Sequence, residues 1–429
     1  MSSIAAAAPV NSRSRVLFAS LIGTTIEFFD FYIFATAAVL VFPTLFFPSG
    51  DPGAAVLQSF ATFAIAFLAR PVGAAVFGHY GDRIGRKATL VAALMTMGLS
   101  TVAIGLLPTY GSVGVLAPLL LALCRLGQGF GLGGEWGGAV LLATENAPPG
   151  KKAWYGMFPQ LGAPIGFICA TGSFLILSDV LTDEQFFSFG WRIPFVASAL
   201  LVLVGLYVRL KIHETPQFSK AIERHERVRI PLATIFTRHG RELLTGTVAA
   251  LATFVLFYLM TTFVLSWGTT QLGFSRGTFL PIQMLGVCFF GFAIPISALL
   301  ADRYGHRLVL IAATLGIGIF GFTFEPLFGL GTTAAVIAFQ IIGFTLMGLT
   351  YGPLGTALSD LFPTAVRYTG ASMTFNLGGI LGASLAPLVA TKLATGYGIG
   401  SVGLYLTGAA AITAVALVLG PSRQRLGQD

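Results

Sequence analysis

Gly78-His79-Tyr80-Gly81-Asp82-Arg83-Ile84-Gly85-Arg86-Lys87 lies between two long apolar runs, and Asp302-Arg303-Tyr304-Gly305-His306-Arg307 lies between two more, 220 residues further on. Each block gathers charge around a glycine. Such a block is costly inside hydrocarbon and too short to be a domain, so it reads as a loop joining two membrane-crossing helices. A second pair of loops repeats at nearly the same distance. Glu145, Pro148, Lys152 and Gly156 are echoed by Asp360, Pro363, Arg367 and Gly370, 215 residues on at the acid and 214 at the glycine. Two different loops sharing one offset make the chain a duplication, six spans plus six.

The totals agree. Of 429 residues, 55% are hydrophobic and only 10% charged, whereas a soluble domain carries about 25% charged residues. The 53 glycines and 38 phenylalanines suit helices packed in lipid. About 20 apolar residues cross about 30 Å of hydrocarbon. Twelve stretches reach that length: 16–42, 54–78, 88–107, 113–142, 153–178, 191–210, 243–268, 277–301, 308–328, 332–360, 369–392 and 399–420. The first continues too far to be a cleavable signal. The expected fold is all-α and integral to the membrane, with domains 1–208 and 242–429 as six-helix bundles. The connector 209–241 holds a charged segment, 219–229, suited to a solvated linker or a surface helix.

The net charge of +8 is spread over alternate loops rather than over one face of a compact domain, which excludes a nucleic-acid partner. With both termini in the cytoplasm, twenty of the 25 Lys and Arg residues fall in cytoplasmic segments. The opposite orientation inverts that bias. Arg70, Arg125, Arg192, Arg276 and Lys392 remain.

Enzymatic chemistry finds no support. Cys124, Cys169 and Cys288 sit in apolar runs without CxxC spacing, and no His/Cys/Asp cluster occurs, so neither a metal nor a cofactor is expected. Gly129-x-Gly131-x-x-Gly134 fits a dinucleotide fingerprint but lies in an apolar helix instead of following a strand, and no GxxxxGK[ST] is present.

Gly78-x-x-x-Asp82-Arg83-x-Gly85-Arg86-Lys87 resembles the signature of the major facilitator superfamily; its second copy departs at Ala298 and His306. The chain is similar, more closely, to the metabolite:proton symporter family, whose members carry shikimate, α-ketoglutarate, citrate, or proline and betaine. The likeness rests on Glu27-Phe-Phe-Asp30-Phe-Tyr32, Ala69-Arg70-Pro71-Val-Gly73, Arg125-x-Gly127-Gln128-Gly129, Gly133-Gly134-Glu135-Trp136-Gly137-Gly138 and Pro159-Gln160-x-Gly162-Ala163-Pro164. The resemblance implies twelve transmembrane helices in two halves and proton-coupled import of a small molecule by alternating access. It also implies a bacterial inner-membrane location and a monomer. It implies that Asp82 faces the N-terminus of a span in the other half, where the helix dipole favours a carboxylate, and latches the outward-open state with Arg83 and Glu145. Arg70, Arg86, Asp302 and Arg303 complete the expected gating set.

Charges at mid-bilayer cost about 2.5–3.5 kcal/mol each on insertion scales, so Glu27, Asp30, Arg70, Arg125 and Glu135 need partners or a purpose. At 1.5 Å per residue, Asp30 and Arg125 lie roughly 21 and 25 Å from the cytoplasmic side. That places Arg125 within reach of Asp30 or Glu27. Arg70 and Glu135 form a shallower pair, roughly 10–12 Å deep. The bland reading is ion pairs that hold the half together. The functional reading gives Arg125 a substrate carboxylate and gives Glu27, Asp30 or Glu135 the proton. Gln128, Trp136, Tyr32, Tyr258, Tyr351 and Asn376 are the other expected substrate contacts. One cavity arginine fits a monocarboxylate such as shikimate, or a zwitterion, better than a tricarboxylate. The alternative is a proline/betaine-type carrier whose rings meet a quaternary ammonium.

Overall fold

The computed structural model describes residues 13–48, 52–84, 86–211, 231–363 and 366–420. The charged segment 219–229 lies outside the described residues. The first bundle runs α1 (Arg13–Leu40), α2 (Pro52–Ile84), α3 (Arg86–Leu106), α4 (Leu116–Gly133, resuming at Trp136–Glu145), α5 (Lys152–Val180) and α6 (Arg192–Leu210). The second runs α7 (Gly240–Thr270), α8 (Arg276–Tyr304), α9 (His306–Gly321), α10 (Thr333–Asp360), α11 (Arg367–Tyr397) and α12 (Gly400–Leu419). Among the described residues, eleven of these helices are long and apolar enough to span a bilayer. The exception is α9, which a π-helical turn, Phe324–Phe328, carries onward over the rest of the expected span.

The duplication read from the loops recurs in the packing. In the first half α1 packs on α5, α2 on α4, and α3 on α6; in the second, α7 packs on α11, α8 on α10, and α9 on α12. Glycine makes these contacts close. A β-carbon at Gly129 or Gly133 of α4 would lie 2.2 Å from the Ala66 carbonyl oxygen or 1.9 Å from that of Arg70, both on α2. The equivalent contacts of α10 on α8 use Gly348 and Gly352, where a β-carbon would lie 2.5 Å from the Phe290 and 2.7 Å from the Ile294 carbonyl oxygen. In the signature loop between α8 and α9, Gly305 has φ 89°, a left-handed conformation open to glycine.

The halves meet where α5 faces α8 and α10, and where α2 faces α11. The antiparallel α5 and α8 are tied at both ends. On the side of the basic loops, the Asp302 carboxylate accepts hydrogen bonds from the backbone N–H groups of Ala153 (2.8 Å) and Trp154 (3.0 Å). On the opposite side Arg276 pairs with Asp183 at 2.6 Å. Arg192 is spoken for locally, donating to the carbonyls of Gly105 and Leu107 at the end of α3.

Candidate functional site

Between the halves lies a cavity lined from α1 by Glu27, Phe28 and Phe31, from α2 by Arg70, and from α4 by Leu132 and Trp136. The second half adds Thr253, Phe254, Phe257 and Tyr258 of α7, Met347 and Tyr351 of α10, and Phe375 and Asn376 of α11. Its free space is about 30 Å³, on a scale where one water needs about 10–15 Å³. A solute of several heavy atoms enters only if the halves move. α7 and α11 both carry π-helical turns, Leu259–Phe263 and Ile380–Ser384. α4 breaks between Gly133 and Trp136. Interruptions of this kind recur at functional sites.

The wall is apolar apart from a few polar groups. Glu27 is 3% exposed and Arg70 6%. The Arg70 guanidinium sits 4.2 Å from the Phe67 ring centroid and 4.9 Å from that of Phe31. It interacts electrostatically with Glu27 and lies within hydrogen-bonding reach of Tyr258. The Oε2 atom of Glu27 has no hydrogen-bond partner among the described residues. Trp136 stacks on Phe375 with centroids 3.7 Å apart, and its indole N–H donates to Gln160 at 3.0 Å. Gln160 in turn donates to the Tyr351 carbonyl at 2.9 Å, tying α4, α5 and α10 together.

The structure therefore gathers Glu27, Trp136, Tyr258, Tyr351 and Asn376 in one cavity, and adds Arg70, which the sequence reading had put among the gating residues. It puts Arg125 elsewhere. Arg125 is fully buried within the first half. Its guanidinium lies 3.8 Å from the Phe34 ring centroid and 4.7 Å from that of Phe31. Its Nη1 donates to Gln128 at 2.9 Å, and Gln128 donates to Thr101 at 2.8 Å. Asp30 does not meet Arg125 as expected; it accepts from the Ser198 hydroxyl of α6 at 2.5 Å. Arg125 reaches Phe31 and Phe34, neighbours of Asp30 on α1, but both charged side chains turn into the bundle instead of toward the cavity. Tyr32 also lies behind the lining, packed on Phe167 and Phe257.

The shallower pairing is corrected too. Glu135, expected beside Arg70, forms a buried ion pair with Arg209. Arg209 also donates to the Leu90 carbonyl of α3. The sequence reading had placed Arg209 at the start of the connector, whereas it stands in the last turn of α6. A single cation closing an apolar run, Leu201 to Leu210, was the signal that it belonged to the span. Ser198, Gln160 and Phe375 were also missed as candidates; none carries a charge that would single it out.

Toward the basic side, contacts between the halves close the cavity. The Tyr368 hydroxyl donates to the Gly134 carbonyl, and the Asn376 amide donates to that of Gly133 at 3.3 Å. Lys152 pairs with Asp360 at 3.4 Å. Of the expected gating residues, Asp302 holds the N-terminus of α5 and Arg303 is exposed over the Tyr304 ring. Glu145 is the last residue of α4. The side chains of Asp82, Arg83 and Arg86 lie outside the described residues.

Residues 20–387 match the family model of the Major Facilitator Superfamily. The chain is 59% identical over 416 residues to the inner membrane metabolite transport protein YhjE of Escherichia coli (strain K12), covering 96% of this chain and 94% of that protein. It is 36% identical over 420 residues to the shikimate transporter of the same organism, covering 96% and 95%. Among solved structures, the proton:xylose symporter XylE of E. coli, bound to 6-bromo-6-deoxy-D-glucose, matches with a TM-score of 0.74 at 15% identity. That match covers 95% of this chain and 94% of XylE, a likeness of fold. A chain of two equivalent six-helix bundles around a central cavity, matched by this family along most of its length, belongs to the major facilitator superfamily and is a membrane transporter, not an enzyme.

Proposed function

We propose that the chain imports a small organic acid together with a proton by alternating access, as a single chain in a bacterial inner membrane with both termini in the cytoplasm. The observation that carries this reading is the presence of one arginine, Arg70, and one carboxyl, Glu27, on the wall of a largely aromatic cavity, close enough to interact electrostatically. Arg70 supplies a planar donor fork for a substrate carboxylate. Glu27 supplies the proton site, because desolvation favours its neutral form and a nearby cation its charged form. One arginine suits a monocarboxylate such as shikimate, and the relative that bears that name supports the choice. The concentration of Lys and Arg in the loops on the signature side supports the orientation.

A second reading draws on the rings. Phe28, Phe31, Trp136, Phe254, Phe257, Tyr258, Tyr351 and Phe375 make a wall suited to a quaternary ammonium. A betaine- or proline-type zwitterion then sets its carboxylate on Arg70 and its cation against the rings.

One series of measurements tests both. A thermal-shift screen of purified protein against organic acids and zwitterions selects the cargo, and proteoliposomes measure its accumulation. Accumulation is expected only under an imposed pH gradient or membrane potential. If it survives an uncoupler, symport is rejected.

A further inference from the structure

Among the described residues the first half buries three carboxylates and three guanidinium groups. Glu27 and Arg70 line the cavity, Asp30 is bonded to Ser198, and Arg125 to Gln128. The other two, Glu135 and Arg209, are paired, with side chains 1% and 9% exposed. Room for that pair is made by Gly23 of α1. A β-carbon there would lie 3.2 Å from Nη2 of Arg209 and 3.7 Å from Oε1 of Glu135. Glu27 follows Gly23 by four residues, on the same face of α1, and Arg209 acts on it electrostatically. Arg209 thus stands between two acids: one on the cavity wall, the other at the break in α4 next to Trp136.

Charge balance gives this arrangement a purpose, on the proposed reading that Glu27 carries the proton. Isolated buried charge is costly. With a substrate carboxylate on Arg70 and Glu27 protonated, the cations Arg70 and Arg209 face the substrate and Glu135, and the set is neutral. With both cargoes gone, the same cations face Glu27 and Glu135, and it is neutral again. Substrate without proton, or proton without substrate, leaves one charge unmatched. We infer that Arg209 is a shared counter-ion that positions the coupling acid. It is held by Glu135 while Glu27 is protonated, and turns toward Glu27 when that proton leaves to cytoplasmic water as substrate dissociates. No bond other than the Glu27 O–H breaks, and the carboxylate so formed takes the place of the departing anion.

The charged and titratable groups around Glu27 are Asp30 and Tyr32 on α1, Arg70 on α2, Glu135 on α4, Arg209 on α6, Tyr258 on α7 and Tyr351 on α10. The test therefore varies Arg209 and Glu135 in opposite senses. Infrared titration of the purified full-length protein, with no ligand added, follows the protonated carboxyl band that Glu27→Gln removes. In Arg209→Gln the midpoint is expected to move to higher pH by at least about half a unit, because a cation favouring the carboxylate is gone. In Glu135→Gln it is expected to move to lower pH, because Arg209 is released toward Glu27. Arg209→Lys keeps the wild-type midpoint to within a few tenths of a unit. Should Arg209→Gln fail to fold, Glu135→Gln alone decides. A Glu27 band titrating identically in Glu135→Gln and wild type overturns the inference and leaves the proposed proton role standing. A wild-type protein with no Glu27 band removes both.

Discussion

Asp302 of the second half accepts a hydrogen bond of 2.8 Å from the backbone N–H of Ala153 in the first half, and a second from Trp154. The residue belongs to one signature loop, and its partner is the N-terminus of α5, where unpaired N–H groups and the helix dipole favour an anion. The bond therefore joins the halves on the proposed cytoplasmic side, next to Lys152–Asp360.

Asp302→Asn keeps the shape and removes the charge. An anion at a helix N-terminus contributes up to about 2 kcal/mol, and losing about 1–2 kcal/mol changes a two-state ratio roughly 5–30-fold. The variant is expected to insert normally, transport more slowly, and expose a cysteine placed at Thr356 to a cytoplasmic thiol reagent several-fold faster. Labelling and transport at wild-type rates would remove the latch.

Arg70 and Arg125 are separated by their environments. Arg70→Ala is expected to raise the dissociation constant for the acid cargo at least about tenfold, since a hydrogen bond to a charged group contributes about 1.5–3 kcal/mol. Arg125→Ala strips the cation from Phe34 and the donor from Gln128. It is expected to lower the melting temperature while the folded fraction still binds. Affinity measured by calorimetry on both variants decides; loss of binding only in Arg125→Ala would reverse the assignment.

Glu27→Gln mimics the protonated acid at every pH. Wild-type uptake is expected to rise as outer pH falls, because the loaded carrier requires Glu27 neutral. The variant is expected to exchange cargo across proteoliposomes at a rate within about threefold of wild type, without pH dependence, and to lose uphill accumulation. Accumulation by the variant would move the proton to another residue.

Ser198→Ala leaves the Asp30 carboxyl, buried between α1 and α6, without its 2.5 Å donor. The expected cost is about 1.5–3 kcal/mol of stability, read as a drop in melting temperature, with exchange per folded molecule unchanged. Impaired exchange at wild-type stability would give Asp30 a part in transport.

The duplication was legible because loop chemistry is local: Asp302 and Gly305 are needed wherever a helix end must turn and bind, and they recur in order. The spans were legible from length and apolarity alone. The charged residues were legible as a set, since their cost in lipid marks them. Their partners were not. Gln128 was expected in the cavity and instead bridges Arg125 to Thr101, and Arg209 was counted with the connector although it completes a buried pair.

By itself the sequence determined six spans twice over, their loops, and most of the charges that lie inside them, because helix length and the expense of burying polar groups are properties of one helix. Depth was less legible: Arg70 and Arg125, expected at different levels, lie 4.9 and 4.7 Å from the same Phe31 ring centroid. Only the tertiary structure decided that Arg70 faces the cavity while Arg125 faces inward, and that Glu135 meets Arg209. Those outcomes depend on how each helix is turned about its own axis. That turn is set where Gly129 and Gly133 let α4 settle on the backbone of α2, a fit between surfaces far apart in the chain.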